Sequence, residues 1–292
     1  MTVTGGIAMK KLPSIKRRNR IMIVLRYVIL SSFAITMVVP LVWMFTVSLK
    51  ANETIFVIPP DIVPREFNWS NYSIALKQMD FLRSFINTLL ITVTCVIGQS
   101  LSCTLVAYGI SRIKFPGRKI WFYAIIASMM LPGMIGTIPV FMFFSSLGWV
   151  NTFLPLIVPA FLGSPFYTFL LRQTFMGISR SFDEAARIDG AGHLTILFRI
   201  LVPMIKPALM VIVIMATQAS WNDYLNPLLY LHKKELWTLS IAIKAFTGQY
   251  STSWNLFMAA DFVYLLPILI VFIVLQRYFM SGLGSLNSTA LK

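Results

Sequence analysis

Charge is scarce in this sequence: 12% of its 292 residues are Asp, Glu, Lys or Arg, about half the ~25% usual in a soluble domain. With 57% hydrophobic residues and a mean hydropathy of +0.77, the chain has too little polar side chain to cover a surface in water. That excludes a soluble globule and makes the bilayer its expected solvent. Acidic residues are rarest, ten against 25 Lys and Arg, for a net charge of +15. In a soluble protein this balance would suggest nucleic acid; here Lys and Arg are read as decorating the ends of membrane spans, and no nucleic-acid partner is expected.

Other absences narrow the function. There are two cysteines, Cys95 and Cys103; eight residues apart on one helix, they lie about 12 Å apart along its axis, too far to bridge. They read as small packing residues, and no cysteine pattern suggests a metal site. The two histidines, His193 and His232, stand alone and receive no chemistry. No G-x-x-x-x-G-K-[ST] loop is present, so the chain does not bind ATP by that route. The apolar runs carry almost no charge and show no internal repeat, which argues against an ion-coupled carrier. Asp223 and Asp261 fall near outer ends with no intramembrane histidine, which argues against an intramembrane enzyme. The first apolar run exceeds a signal-peptide core and lacks a small-residue cleavage pattern, so it reads as a retained span.

What is present is long apolar stretches. About 20 such residues cross the hydrocarbon as a helix, and six candidates emerge: 27–48, 85–109, 119–142, 152–171, 206–229 and 256–279. Pro203 and Pro207 mark the start of the fifth. With the N-terminus inside, inner segments hold 18 Lys and Arg and outer segments 7, which places both termini in the cytoplasm. The expected fold is an all-α integral membrane protein. A basic N-terminus spans 1–26, a six-span membrane domain 27–283 and a cytoplasmic tail 284–292.

One segment breaks the pattern. The last inner loop, 172–205, contains "SRSFDEAARIDGAGHLTILFRILVP". Ser181 and Glu184 have the S-x-x-E spacing of a capping box, and Asp183 and Glu184 suit the positive end of a helix dipole. Ala185 and Ala186 favour helix with little bulk. Gly190 suits the position after a helix, where φ is often positive. A second helix is expected from His193 to Leu201, ending at Pro203. The whole reads as a helix–turn–helix outside the membrane, with a small-residue face open to another protein. An ordinary capped surface helix would show the same capping box.

Glu184-Ala185-Ala186, then Gly190, then Ile200-Leu201-Val202-Pro203 resembles the EAA loop of bacterial ABC importer permeases, E-A-A-x3-G-x9-I-x-L-P, with Val202 in place of Leu. "VSLKANETIF", "NWSNY", "AYGISRIKFPGRK", "SWNDYLNPLLYL" and "LQRYFMSGL" are similar to the shorter, second permease of carbohydrate importers of the maltose-transporter type. The resemblance implies a subunit that docks Ser181, Asp183, Glu184, Ala185, Ala186, Arg187, Asp189, Gly190 and Gly192 onto an ATPase. It implies a heterodimer with a second permease, two ATPase subunits that hold ATP and Mg, and an extracytoplasmic solute-binding protein. The chain itself would be no enzyme and carry no cofactor. The cargo would be a sugar, preferably an oligosaccharide; another polar solute such as a polyamine or phosphonate stays open.

Polar side chains within spans are the pathway candidates. Asn87, Thr88, Gln99, Thr137, Gln218, Ser220 and Asn222 suit sugar hydroxyls, and Trp221, Tyr224 and Tyr230 suit sugar rings; each would also serve as a helix–helix hydrogen bond or an interfacial aromatic. The outer loop 230–255 carries Thr247, Gly248, Gln249, Tyr250 and Ser251 near its tip. The resemblance implies that this tip reaches the binding protein's cleft; a solvated connector is the alternative.

Overall fold

The computed structural model describes residues 15–59, 61–244, 246–247 and 253–289, and its regular elements are helices. The first is α1 (Ile15–Ser48). After an irregular segment come α2 (Ser70–Gln78) and the long α3 (Phe81–Arg112). Next are α4 (Arg118–Ser128), α5 (Thr137–Ser146), the single turn α6 (Leu154–Ile157) and α7 (Pro165–Met176). The inner loop supplies α8 (Ser181–Ile188), then α9 (His193–Thr195) and α10 (Val202–Met204) joined by a π-helical turn, Ile196–Leu201. The rest is α11 (Lys206–Trp221), α12 (Leu225–Tyr230), α13 (Leu239–Lys244) and α14 (Trp254–Thr289).

Among the described residues, four helices are long and apolar enough to cross a membrane: Met22–Ser48, Phe81–Arg112, Leu154–Met176 and Trp254–Val274. Two further pairs qualify only as bent units, Arg118–Ser128 with Gly133–Ser146 at 93° and His193–Met204 with Lys206–Trp221 at 82°. The expected third span, 119–142, is therefore broken. Pro132 has no amide to continue the ladder and its ring would meet the carbonyl four residues back. The expected fifth span, 206–229, stops at Trp221. Pro227 cannot donate to the Asp223 carbonyl, and that carbonyl instead accepts the Ser240 hydroxyl at 2.7 Å. The helix expected to end at Pro203 instead continues through it to Met204, directly after the π-helical turn Ile196–Leu201.

Helix α3 is the central post, packed against α7, α11 and the 3₁₀ segment Val158–Leu162. Irregular backbone at membrane depth must be satisfied by protein, and α3 supplies the partners. Cys95 Sγ donates to the Leu156 carbonyl (3.3 Å), Ser102 Oγ to that of Ala160 (3.3 Å), and Cys103 Sγ accepts the Ser164 amide (3.2 Å). Gly163 has φ +86°, and a Cβ there would sit 3.4 Å from Ser102 Oγ. The cysteines are thus more than packing residues: they satisfy the backbone where the fourth span breaks. The Arg172 guanidinium covers the Phe122 ring at 3.7 Å and ties α4 to α7.

Candidate coupling loop and pathway cavity

The loop 172–205 is anchored to the long helices rather than standing free. Ile196, Leu197 and Leu201 are fully buried in a cluster with Cys103, Ala107, Leu171, Phe175, Ile205 and Ile212. Arg112, at the end of α3, donates to Asp183 Oδ2 of α8 at 2.8 Å and to the carbonyls of Phe175 (2.6 Å) and Ile178 (2.9 Å). Tyr108, one helical turn earlier, shares a 3.0 Å hydrogen bond with His193 Nδ1. The guanidinium therefore fixes the start of α8, and the phenol fixes the start of α9.

The capping box does not form. The helix starts with Ser181 already inside it, preceded by Arg180 in helical conformation, and no side chain caps it. Ser181 instead shares a 2.8 Å hydroxyl contact with Ser179, which also accepts the Ser181 amide at 3.3 Å. The other end is as expected. Gly190 has φ +78°; its amide donates to the Arg187 carbonyl (3.0 Å) and the Ala191 amide to that of Ala186 (2.9 Å), the paired bonds of a Schellman motif.

The docking candidates divide by face. Asp183 and Ala186 are buried toward the spans and are anchors, so of the two alanines only Ala185 is left on the exposed face. Ser181, Glu184, Ala185, Arg187, Asp189, Gly190 and Gly192 are exposed. Beside them lie apolar side chains that no sequence pattern singles out: Ile188 (88% exposed), Leu194 (65%) and Phe182 (47%). The missed anchors are Arg112, Tyr108 and His193. Their one sequence signal is the i, i+4 spacing of Tyr108 and Arg112 at the end of a span, which puts both on one helix face.

A cavity of about 400 Å³ opens between α3, the broken fourth span and α11, with Thr88, Gln99, Ser164, Tyr167, Ser220, Asp223 and Thr238 as its polar lining. Of the pathway candidates, Gln99, Ser220 and Thr88 meet here. Thr88 is partly engaged, since its oxygen accepts the Leu239 amide at 2.9 Å. The others lie outside the lining. Asn87 Nδ2 donates to the carbonyls of Glu235 and Trp237, both at 3.0 Å. Trp221 is buried with Ala75, Met79 and Leu239. Asn222 Oδ1 accepts the Tyr264 hydroxyl at 2.9 Å. Gln218 is exposed, and Tyr224 lies under Lys244 Nζ at 5.9 Å. Tyr230 is buried against Phe141 and Phe144, and Thr137 begins α5 away from the cavity.

The outer loop is not simply extended. Leu239, Ile241, Ala242 and Ile243 of α13 are buried. Thr247 is exposed, while Gly248, Gln249, Tyr250 and Ser251 lie outside the described residues.

Residues 100–284 match the family described as binding-protein-dependent transport system inner membrane component. The arabinooligosaccharides transport system permease protein AraQ of Bacillus subtilis (strain 168) is 30% identical over 224 residues, 76% of this chain and 79% of that protein. The melibiose/raffinose/stachyose import permease protein MelC of the same organism is 31% identical over 255 residues, covering 85% and 90%. The crystal structure of a bacterial ABC transporter involved in the import of the acidic polysaccharide alginate matches 92% of this chain and 100% of its own, at 26% identity and a TM-score of 0.79.

Proposed function

The chain belongs to the binding-protein-dependent transport system inner membrane components, and on that premise we propose that it forms one half of the translocation pathway for an oligosaccharide. A second permease supplies the other half, and an extracytoplasmic binding protein delivers the sugar. Two separate ATPase subunits carry ATP and Mg and dock on the loop 172–205, which faces the cytoplasm with both termini. The chain itself hydrolyses nothing and holds no cofactor. Gln99 and Ser220 face the solute, and the segment Thr247–Ser251 faces the binding protein. Rocking of the two permeases about their interface alternates access.

The observation that carries this reading is the mounting of α8. The Arg112–Asp183 pair pins the helix to the spans, while Ile188 and Phe182 of α8 and Leu194 of α9 leave apolar surface exposed. Such a patch on a segment outside the spans marks a protein contact. An Ile188→Asp variant should reach the membrane in normal amount, yet lose co-purification of the ATPase subunits and uptake. Normal co-purification and uptake would return α8 to an ordinary surface helix. ATPase stimulation by binding protein loaded with different solutes separates a sugar importer from one for a polyamine or phosphonate.

A further inference from the structure

The cavity between α3, the fourth span and α11 has one charged lining residue, Asp223; among the described residues no Lys, Arg or His lines it. The carboxylate accepts the Asn226 amide (3.2 Å) and Asn226 Nδ2 (2.8 Å). With the Leu225 amide as a third donor, about three of its four or so acceptor sites are occupied, which leaves about one for a sugar hydroxyl. The side-chain donors of the lining, among them Gln99, Tyr167 and Ser220, are all uncharged, and the backbone offers an anion little more. Three lining residues, Pro159, Pro165 and Pro227, have no amide hydrogen, and the Ser164 amide is committed to Cys103 Sγ at 3.2 Å. The start of α7 turns about half a positive charge toward the cavity, but its first residue is Pro165, and the full charge of Asp223 outweighs it.

We propose that this cavity, with Asp223 as its charged group, admits electrically neutral saccharides and rejects acidic ones, unlike the alginate transporter whose architecture it shares. The inference rests on the pathway reading of the cavity and adds the substrate's charge class to it. A carboxylate makes charge-assisted hydrogen bonds to hydroxyl donors. A uronate brought beside it meets a like charge in a site walled by low-dielectric side chains, where repulsion is stronger than in water.

The test places a cysteine in the cavity, Ser220→Cys in a Cys95→Ser background, in membranes carrying the complete importer. Labelling rates are measured with a cationic and an anionic methanethiosulfonate of similar size. The cation-to-anion rate ratio should fall about fivefold or more when Asp223→Asn is added, the change expected for one charge several ångströms away at intermediate dielectric. Asn retains an acceptor for the Asn226 amide, so the cap survives. Trigalacturonate should fail to slow labelling while Asp223 is present. A reactive cysteine whose ratio ignores Asp223, or one that trigalacturonate protects, overturns the charge selection and leaves the pathway reading standing. A cysteine unreactive to both reagents overturns the pathway reading and the selection with it.

Discussion

Arg112 and Asp183 are 71 residues apart in sequence and 2.8 Å apart in space, with side-chain exposures of only 4% and 11%. The same guanidinium also closes on two carbonyls at the end of α7. One side chain thus joins α3, α7 and α8. Removing one partner of a buried pair leaves an uncompensated charge, at a cost of about 3–5 kcal/mol. Arg112→Ala and Asp183→Ala should each lower the unfolding temperature in detergent and release the ATPase subunits. The double variant should lose clearly less than the sum. Arg112→Lys should also fail, because an ammonium lacks the planar fork that reaches three acceptors. Additive losses would mean that the two side chains act independently.

Gly190 is limited by its backbone rather than by space. Its φ is +78°, and a Cβ added there would meet no atom within 4 Å. Gly190→Leu should therefore cost about 1 kcal/mol or more through backbone strain, leave membrane insertion intact and uncouple hydrolysis from uptake. Gly190→Asn should be milder, since Asn tolerates the left-handed region. Uptake measured at equal membrane abundance decides, and normal transport by Gly190→Leu would remove the need for this turn.

Asn87 and Gln99 lie on the same helix and should behave oppositely. Asn87 spends its amide on two carbonyls, so Asn87→Leu should cost about 1–3 kcal/mol of stability by stranding those acceptors. The uptake KM should not move. Gln99 lines the cavity, and Gln99→Ala should raise the uptake KM several-fold with little change in unfolding. A KM effect at position 87, or none at 99, would redraw the pathway.

Orientation is tested by a matched pair of exposed positions, Ser179 and Ser70. In intact cells, an impermeant thiol reagent should label Ser70→Cys and spare Ser179→Cys; permeabilised cells should show both labelled. The reverse pattern would invert the topology. Ser111 is buried and would report nothing.

The inner loop is legible because its signals are local. Good helix formers, then Gly190, impose a helix and its stop whatever lies around them, and the turn forms as expected. Ser181 misleads because the S-x-x-E spacing tests only what a cap requires, while Ser179 takes the Ser181 amide that Glu184 would have capped and the Arg180 carbonyl takes the Glu184 amide. The breaks at Pro132, Gly163–Pro165 and Asn222–Pro227 are equally visible as residues. They disappear into apolar averages, since hydropathy is blind to whether a backbone amide has a partner.

By itself the sequence determined the solvent, the helical class and where the long apolar helices run, because these depend on composition and short-range backbone preference. Only the tertiary structure decided which face of each helix does what. In water a buried face announces itself by being apolar; in a bilayer the lipid-facing and core-facing residues are both apolar, so periodicity carries little information about inside and outside. Asn87 and Gln99, Ala185 and Ala186 are chemically alike in sequence. They diverge because of Glu235 and Trp237 for Asn87 and the packed core beneath α8 for Ala186, partners that the chain brings near only by folding.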